Sequence, residues 1–176
     1  MSENAGRSTR SMPGRTAVRA LAVLVLAAPL QPHAACRIET MELPVRMVGT
    51  RAVATVGVNG APVPLTVDSG AFFSMLTEPA AAQLQLRLRP LPAGMRVEGI
   101  TGSMNAHVTT IDKLELLKGS VPRVEFIVGG NEPGGGTMGL LGRNILAFTD
   151  TEYDLANGII RFSFPNDDCR KANLAY

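Results

Sequence analysis

The stretch LTVDSGAFF, Leu65 to Phe73, places a carboxylate and a hydroxyl, Asp68 and Ser69, directly after an apolar run and just before two phenylalanines. A lone carboxylate among apolar neighbours is costly, so it must find partners or shift its pKa. Asp, Ser and Gly are also the commonest turn residues, and the tripeptide alone reads equally well as a turn. Its surroundings raise it above that: an apolar strand leads in, Ala71 follows, and hydrophobic residues resume at once. A second polar cluster, Gly142-Arg143-Asn144, lies in GLLGRNILAF, Gly139 to Phe148, about seventy residues downstream and also behind an apolar strand.

Other arrangements offer less chemistry. Gly134, Gly136 and Gly139 match G-x-G-x-x-G, but Pro133 and a loop separate them from the preceding strand. The helix that follows is too short for a dinucleotide crossover. No Lys-Ser/Thr follows these glycines, which excludes a phosphate-binding P-loop. His107 stands alone and reads as a strand residue, so neither a zinc site nor a nucleophilic triad is available. Asp112, Glu115 and Lys118 read as a solvated face, and the scattered methionines as leader and core filler.

The elements that must position Asp68 are mostly short β runs punctuated by Gly, Pro and Asn. RAVATVGV, then Asn59-Gly60, then APVPLTV reads as a hairpin with a type I′ turn, its second arm running straight into Asp68. FSML resumes extended structure. TEPAAAQLQL reads as a short helix capped by Thr77 with Pro79 in its first turn. MRVEGITGSMNAHVTTIDKLELL reads as one more hairpin with Gly99 to Gly102 at its tip, and VEFIV as a further strand. RNILAF reads as a turn and a half of helix. TEYDL and IIRFSF close the chain as a hairpin turning again on Asn-Gly. This is a mainly β domain with one or two short helices.

In order, VDSGA, EGITGS and LLGRN resemble the retroviral-type (retropepsin-like) aspartic proteases, single-lobe dimeric relatives of pepsin. The closing YDLANGIIRF is similar to the last hairpin of bacterial members, and the likeness covers most of Arg46 to Phe164. The resemblance implies a retropepsin-like closed β-barrel, a single lobe with a flap hairpin. It implies an aspartic endopeptidase acting on peptides or proteins, with Asp68, Ser69 and Gly70 as the catalytic loop. Peptide hydrolysis by carboxylates needs two of them within about 3 Å, sharing one proton. One chain supplies one such Asp, so a homodimer must bring Asp68 and its symmetry mate together. The resemblance also implies that Ser69 hydrogen-bonds across the dimer axis, and that Gly70 lets the backbone pass close to the partner loop. Substrate would be bound by Ala71, Phe72 and Phe73 and by a mobile flap of Gly99, Ile100, Thr101 and Gly102. By strand alternation, one of the two phenylalanines would equally be core. Gly142, Arg143 and Asn144 take structural roles. Retroviral enzymes usually carry an acid at the place of Phe72, paired with the Arg of Gly-Arg-Asn. Arg143 is therefore expected to find another partner, Asp150 or the dimer mate. No cofactor or metal is implied.

The 176 residues are enough for one domain. Residues 1–35 read as an export signal, a basic stretch followed by ALAVLVLAAPL and the small residues of QPHAAC. That apolar run is too short to span a bilayer as a helix. The alternative for it is a buried N-terminal helix. The domain proper is then residues 36–176, in a periplasmic or secreted setting. The formal charge of +2 belongs to the leader. Without its four arginines and Glu3 the body has 13 basic and 14 acidic residues, which leaves no basic footprint for nucleic acid. Cys36 and Cys169 read as one disulfide tying the ends of the body together. The competing reading makes Cys36 the lipidated first residue of an envelope lipoprotein. The rival to proteolysis is a non-catalytic dimer or peptide-binding envelope protein that keeps the fold.

Overall fold

The computed structural model describes residues 38–99, 102–131, 134–165 and 169. The leader and Cys36 lie outside the described residues. β1 (Ile38–Val48), β2 (Arg51–Val58) and β3 (Ala61–Val67) form an antiparallel meander. β2 and β3 turn on Asn59 and Gly60, both with positive φ (51° and 88°), as a type I′ turn requires. The Asn59 amide group also fastens this turn to a later strand: its Oδ1 accepts from the Lys113 N–H at 3.0 Å and its backbone N–H donates to the Lys113 carbonyl at 2.9 Å.

After β3 come β4 (Met75–Leu76) and α1 (Glu78–Gln83). The Thr77 hydroxyl caps α1 by accepting from the Ala80 N–H, and Pro79 sits in the first turn, where no backbone N–H is needed. Next are β5 (Arg89–Pro90), β6 (Val97–Gly99), β7 (Gly102–Met104), β8 (Ala106–Leu116) and β9 (Gly119–Gly129). The chain closes with β10 (Gly139–Leu141), α2 (Arg143–Leu146), β11 (Asp150–Asp154) and β12 (Ile159–Pro165).

The main sheet runs β11-β12-β1-β2-β3-β10-β4-β9-β8-β5, and β2 pairs β8 as well. That extra pairing, Gly57 with Glu115 and Val58 with Leu114, closes β2, β3, β10, β4, β9 and β8 into a barrel. Its interior holds Val56, Val63, Leu65, Ile111, Leu114, Phe126, Val128 and Leu141, all essentially inaccessible to solvent. Alternation along β2 and β3 sends these residues inward. The fold is the mainly β, closed single lobe that the sequence implied.

Two local readings, of the first and last of the three hairpins that follow, are corrected. The long hairpin expected over residues 95–117 breaks at Asn105: β6 and β7 form their own two-stranded sheet, and β8 leaves to pair with β9. The β8–β9 hairpin turns at Leu117 and Lys118 without Gly or Asn at its first position, Leu117 taking a φ of 57° that apolar residues rarely adopt. The last hairpin uses a four-residue loop between Asp154 and Ile159, in which only Gly158 has positive φ and the Asn157 side chain donates to both carboxylate oxygens of Asp154.

Candidate active site

Asp68 leaves the barrel at the end of β3. Its backbone N–H donates to the Leu141 carbonyl at 2.9 Å, so the two apolar strands that lead to the polar clusters run parallel and deliver them side by side. Beyond Asp68 the chain turns: the Gly70 N–H donates to Asp68 Oδ1 at 2.8 Å. A Cβ at Gly70 would sit 3.2 Å from that oxygen, crowding the carboxylate. Asp68 is half-buried, and Ser69 and Gly70 are exposed.

The return of the chain passes through a tight crossing. β10 lies between β3 and β4, and at Gly139 a Cβ would fall 2.0 Å from the Met75 carbonyl oxygen. At Gly142 it would meet the Phe73 carbonyl carbon at 2.6 Å. Only glycine lets these backbones approach so closely. From Gly142 onward the second cluster grips the first loop. The Arg143 N–H donates to the Ala71 carbonyl at 2.8 Å and the Asn144 N–H to the Phe72 carbonyl at 3.1 Å. Arg143 and Asn144 thus bind the Asp68 loop through their backbones, and Gly142 makes room for it.

Asn144 does more, with a partner that the sequence reading missed. Ser74 is fully buried, and both its N–H and its hydroxyl donate to Asn144 Oδ1, at 2.8 and 2.7 Å. The Ser74 oxygen in turn accepts from the Gly142 N–H at 3.0 Å, and the Asn144 amide donates to the Glu125 carbonyl at 3.1 Å. The available signal was a single hydroxyl inside the apolar run FFSML, since a polar group buried there must be hydrogen-bonded.

Phe72 and Phe73 depart from the expected strand. They lie in the bend before β4, both exposed, Phe72 at 74%, so neither is core. Neither lines the cleft beside Asp68. Phe72 instead supplies the partner sought for Arg143, whose guanidinium lies over its ring, 5.3 Å from the centroid. A cation over an aromatic face is attracted by the ring quadrupole, so the residue that replaces the usual acid still holds the arginine. Asp150 does not pair with Arg143; it lines a separate groove with Glu152 and Arg161.

A second residue not anticipated is Tyr153 on β11. Partial burial raises its phenol pKa above the ordinary value, the Ser69 hydroxyl opposes that shift, and the charge of Asp68 adds to it. These couplings put the phenol beside the Asp68–Ser69 loop.

The cleft itself has a volume of about 570 Å³. Asp68, Gly70, Ala71, Met75, Leu76 and Leu140 line one side, and Glu98, Gly99 and Met104 of the β6–β7 hairpin the other, with the Gly129-Gly130 backbone between. Gly99 pairs with Gly102, whose φ is 108°. Ile100 and Thr101, at the expected flap tip, lie outside the described residues. His107 sits in β8 opposite Val128 and Pro90, away from the cleft lining.

A carboxylate on a glycine turn, two parallel apolar strands crossing beneath it and a hairpin over an open cleft define the architecture of the retropepsin-like aspartic proteases. The family model described as aspartyl protease matches residues 54–145, just over half of the chain, and the chain belongs to that family. The crystal structure of a retropepsin-like aspartic protease from Rickettsia conorii superposes with a TM-score of 0.51 at 16% identity, covering 75% of this chain and 96% of that one. EIAV protease in complex with an inhibitor superposes with a TM-score of 0.48 at 21% identity, over 58% of this chain and 91% of the viral one. No curated protein matches the chain.

Proposed function

We propose that the chain is an aspartic endopeptidase active as a homodimer, with Asp68 from each copy forming the catalytic pair. The observation that carries this reading is the placement of Asp68. It stands at the mouth of a peptide-sized cleft, held from behind by Leu141 and from the side by the Gly70 N–H, with one carboxylate face open. Two such carboxylates facing each other share one proton, because like charges at that distance cannot both ionise. The ionised one removes a proton from a water between them, and the water oxygen bonds to the scissile carbonyl carbon. The protonated one then gives its proton to the amide nitrogen as the C–N bond breaks, leaving a carboxylic acid and an amine. Ser69, exposed beside Asp68, orients the pair across the two-fold axis in this reading. The substrate lies extended beneath the β6–β7 hairpin, bound through its main chain.

The setting we propose is the periplasm or the outside of the cell, with residues 1–35 as the export signal. Cys169 is buried, and no described cysteine is free, which supports pairing with Cys36 over lipidation of Cys36. Intact mass with and without reductant separates the two.

The test of the function is the dependence of cleavage rate on protein concentration. A mixed peptide library incubated with the mature chain should be cut at a rate per chain that rises with concentration and saturates as dimers form. A statine-type inhibitor should stop the reaction. A folded chain that dimerises and cuts nothing, at any pH between acid and neutral, would transfer the reading to a peptide-binding module.

A further inference from the structure

The cleft has an uneven charge. Besides Asp68, Glu98 is the one ionisable side chain among its described lining residues, and it stands on the opposite wall, on β6. Glu98 is exposed, and no ion pair or side-chain hydrogen bond engages it among the described residues. The basic residue nearest to it along the chain, Arg96, lines a separate groove with Leu91, Met95 and Asn105. Between Asp68 and Glu98 the walls are mostly apolar, with Met75, Met104 and Leu140 beside the neutral Thr77 and Asn131. An apolar wall ending in an unpaired carboxylate matches one kind of side chain, a long aliphatic stem with a cationic head.

We propose that Glu98 is a specificity-determining residue that selects peptides carrying Arg or Lys beside the bond to be cut. This rests on the protease reading for its substrate class and deepens it. The stem of the basic residue packs along Met75 and Met104 while its head reaches the Glu98 carboxylate. In a two-fold dimer each half of the cleft carries its own Glu98, so the preference applies on both sides of the scissile bond. Because Glu98 is exposed, the effect is that of a partly solvated ion pair and weakens with salt.

The test uses the mature dimer and three peptides with a reduced, uncleavable central bond, flanked by Arg, Gln or Glu, with binding read by fluorescence anisotropy. The cleavable versions are assayed in parallel. The Arg peptide should bind the wild type about fivefold more tightly than the Gln peptide. Glu98→Gln should erase that gap, Glu98→Lys should turn it in favour of the Glu peptide, and high salt should shrink it. Equal binding of the three peptides by the wild type, a gap that survives Glu98→Gln, or no binding at all overturns the proposal. Cleavage without an Arg preference removes the role of Glu98 and leaves the protease reading standing. An Arg preference in binding without any cleavage does the reverse.

Discussion

Two regions border the Asp68–Ser69 loop, and they differ in what binds them. On the inner side, β10 and the start of α2 grip it with neutral hydrogen bonds, two glycines that admit no side chain, and the bond of the buried Ser74 to Asn144. On the outer side, Tyr153 comes near it from the β11–β12 hairpin, which is anchored by the buried Ile160 and Phe162 and carries charge on its surface, where Arg161 pairs with Glu42, Glu152 and Asp154 at 2.9–3.2 Å. Buried neutral bonds are costly to break and indifferent to pH and salt, whereas exposed ion pairs are weak and responsive to both. The inner side therefore sets the position of the carboxylate, and the surface charges of the outer side are the part of its surroundings that respond to pH and salt.

The comparison breaks most severely at Gly139. Replacing it with Ala drives a Cβ into the backbone of Met75 and Leu76, with three atoms closer than 3 Å. The expected loss is more than about 4 kcal/mol of stability, read as failure to give a cooperative melting transition. Ser74→Ala comes next. It removes the hydroxyl donor to Asn144 and strands the Gly142 N–H in the interior, for a loss of about 2–3 kcal/mol in denaturant unfolding.

Phe72→Ala lies at the rim between the two regions. Removing the ring under the Arg143 guanidinium should cost only about 0.5–1 kcal/mol, because the pair is exposed. Phe72→Glu, which restores an acid opposite Arg143, should recover that loss. The smallest effect is acid sensitivity of the outer hairpin. Hydrogen bonds from Asn157 and then Arg161 hold the Asp154 pKa below its ordinary value. Its contribution is thus fully present above the unfolded carboxylate range, near pH 4, and is lost as pH falls through its folded value. The protection factors of β11 and β12 amides should fall on acidification before those of β3 and β10, and Asp154→Asn should weaken that pH dependence.

Much of this architecture was legible because local chemistry and tertiary structure agree. Asn59-Gly60 demands positive φ at both positions, Thr77 and Pro79 mark a helix start, and the strand alternation ends at Asp68 and Gly142 as read. What escaped was non-local. Nothing in VEGITGSMNAHV shows that the hairpin stops at Met104, because the break comes where β8 leaves to pair with β9. Ser74 reads as a minor polar residue until Asn144, seventy positions away, is packed against it. The partner of Arg143 was sought among acids, although an aromatic face two residues after Gly70 serves the same charge. Tyr153 could not be placed, since only the folded sheet carries β11 to the Asp68 loop.

The central claim is that one catalytic centre takes an Asp68 from each of two chains. The measurement that tests it most directly is a mixing titration. Wild type and Asp68→Asn are refolded together in varying ratio at constant total concentration, and peptide cleavage is assayed. If both copies are required, activity should fall as the square of the wild-type fraction, to about one quarter in an equal mixture. A linear fall to half, or cleavage by Asp68→Asn alone, would contradict the account.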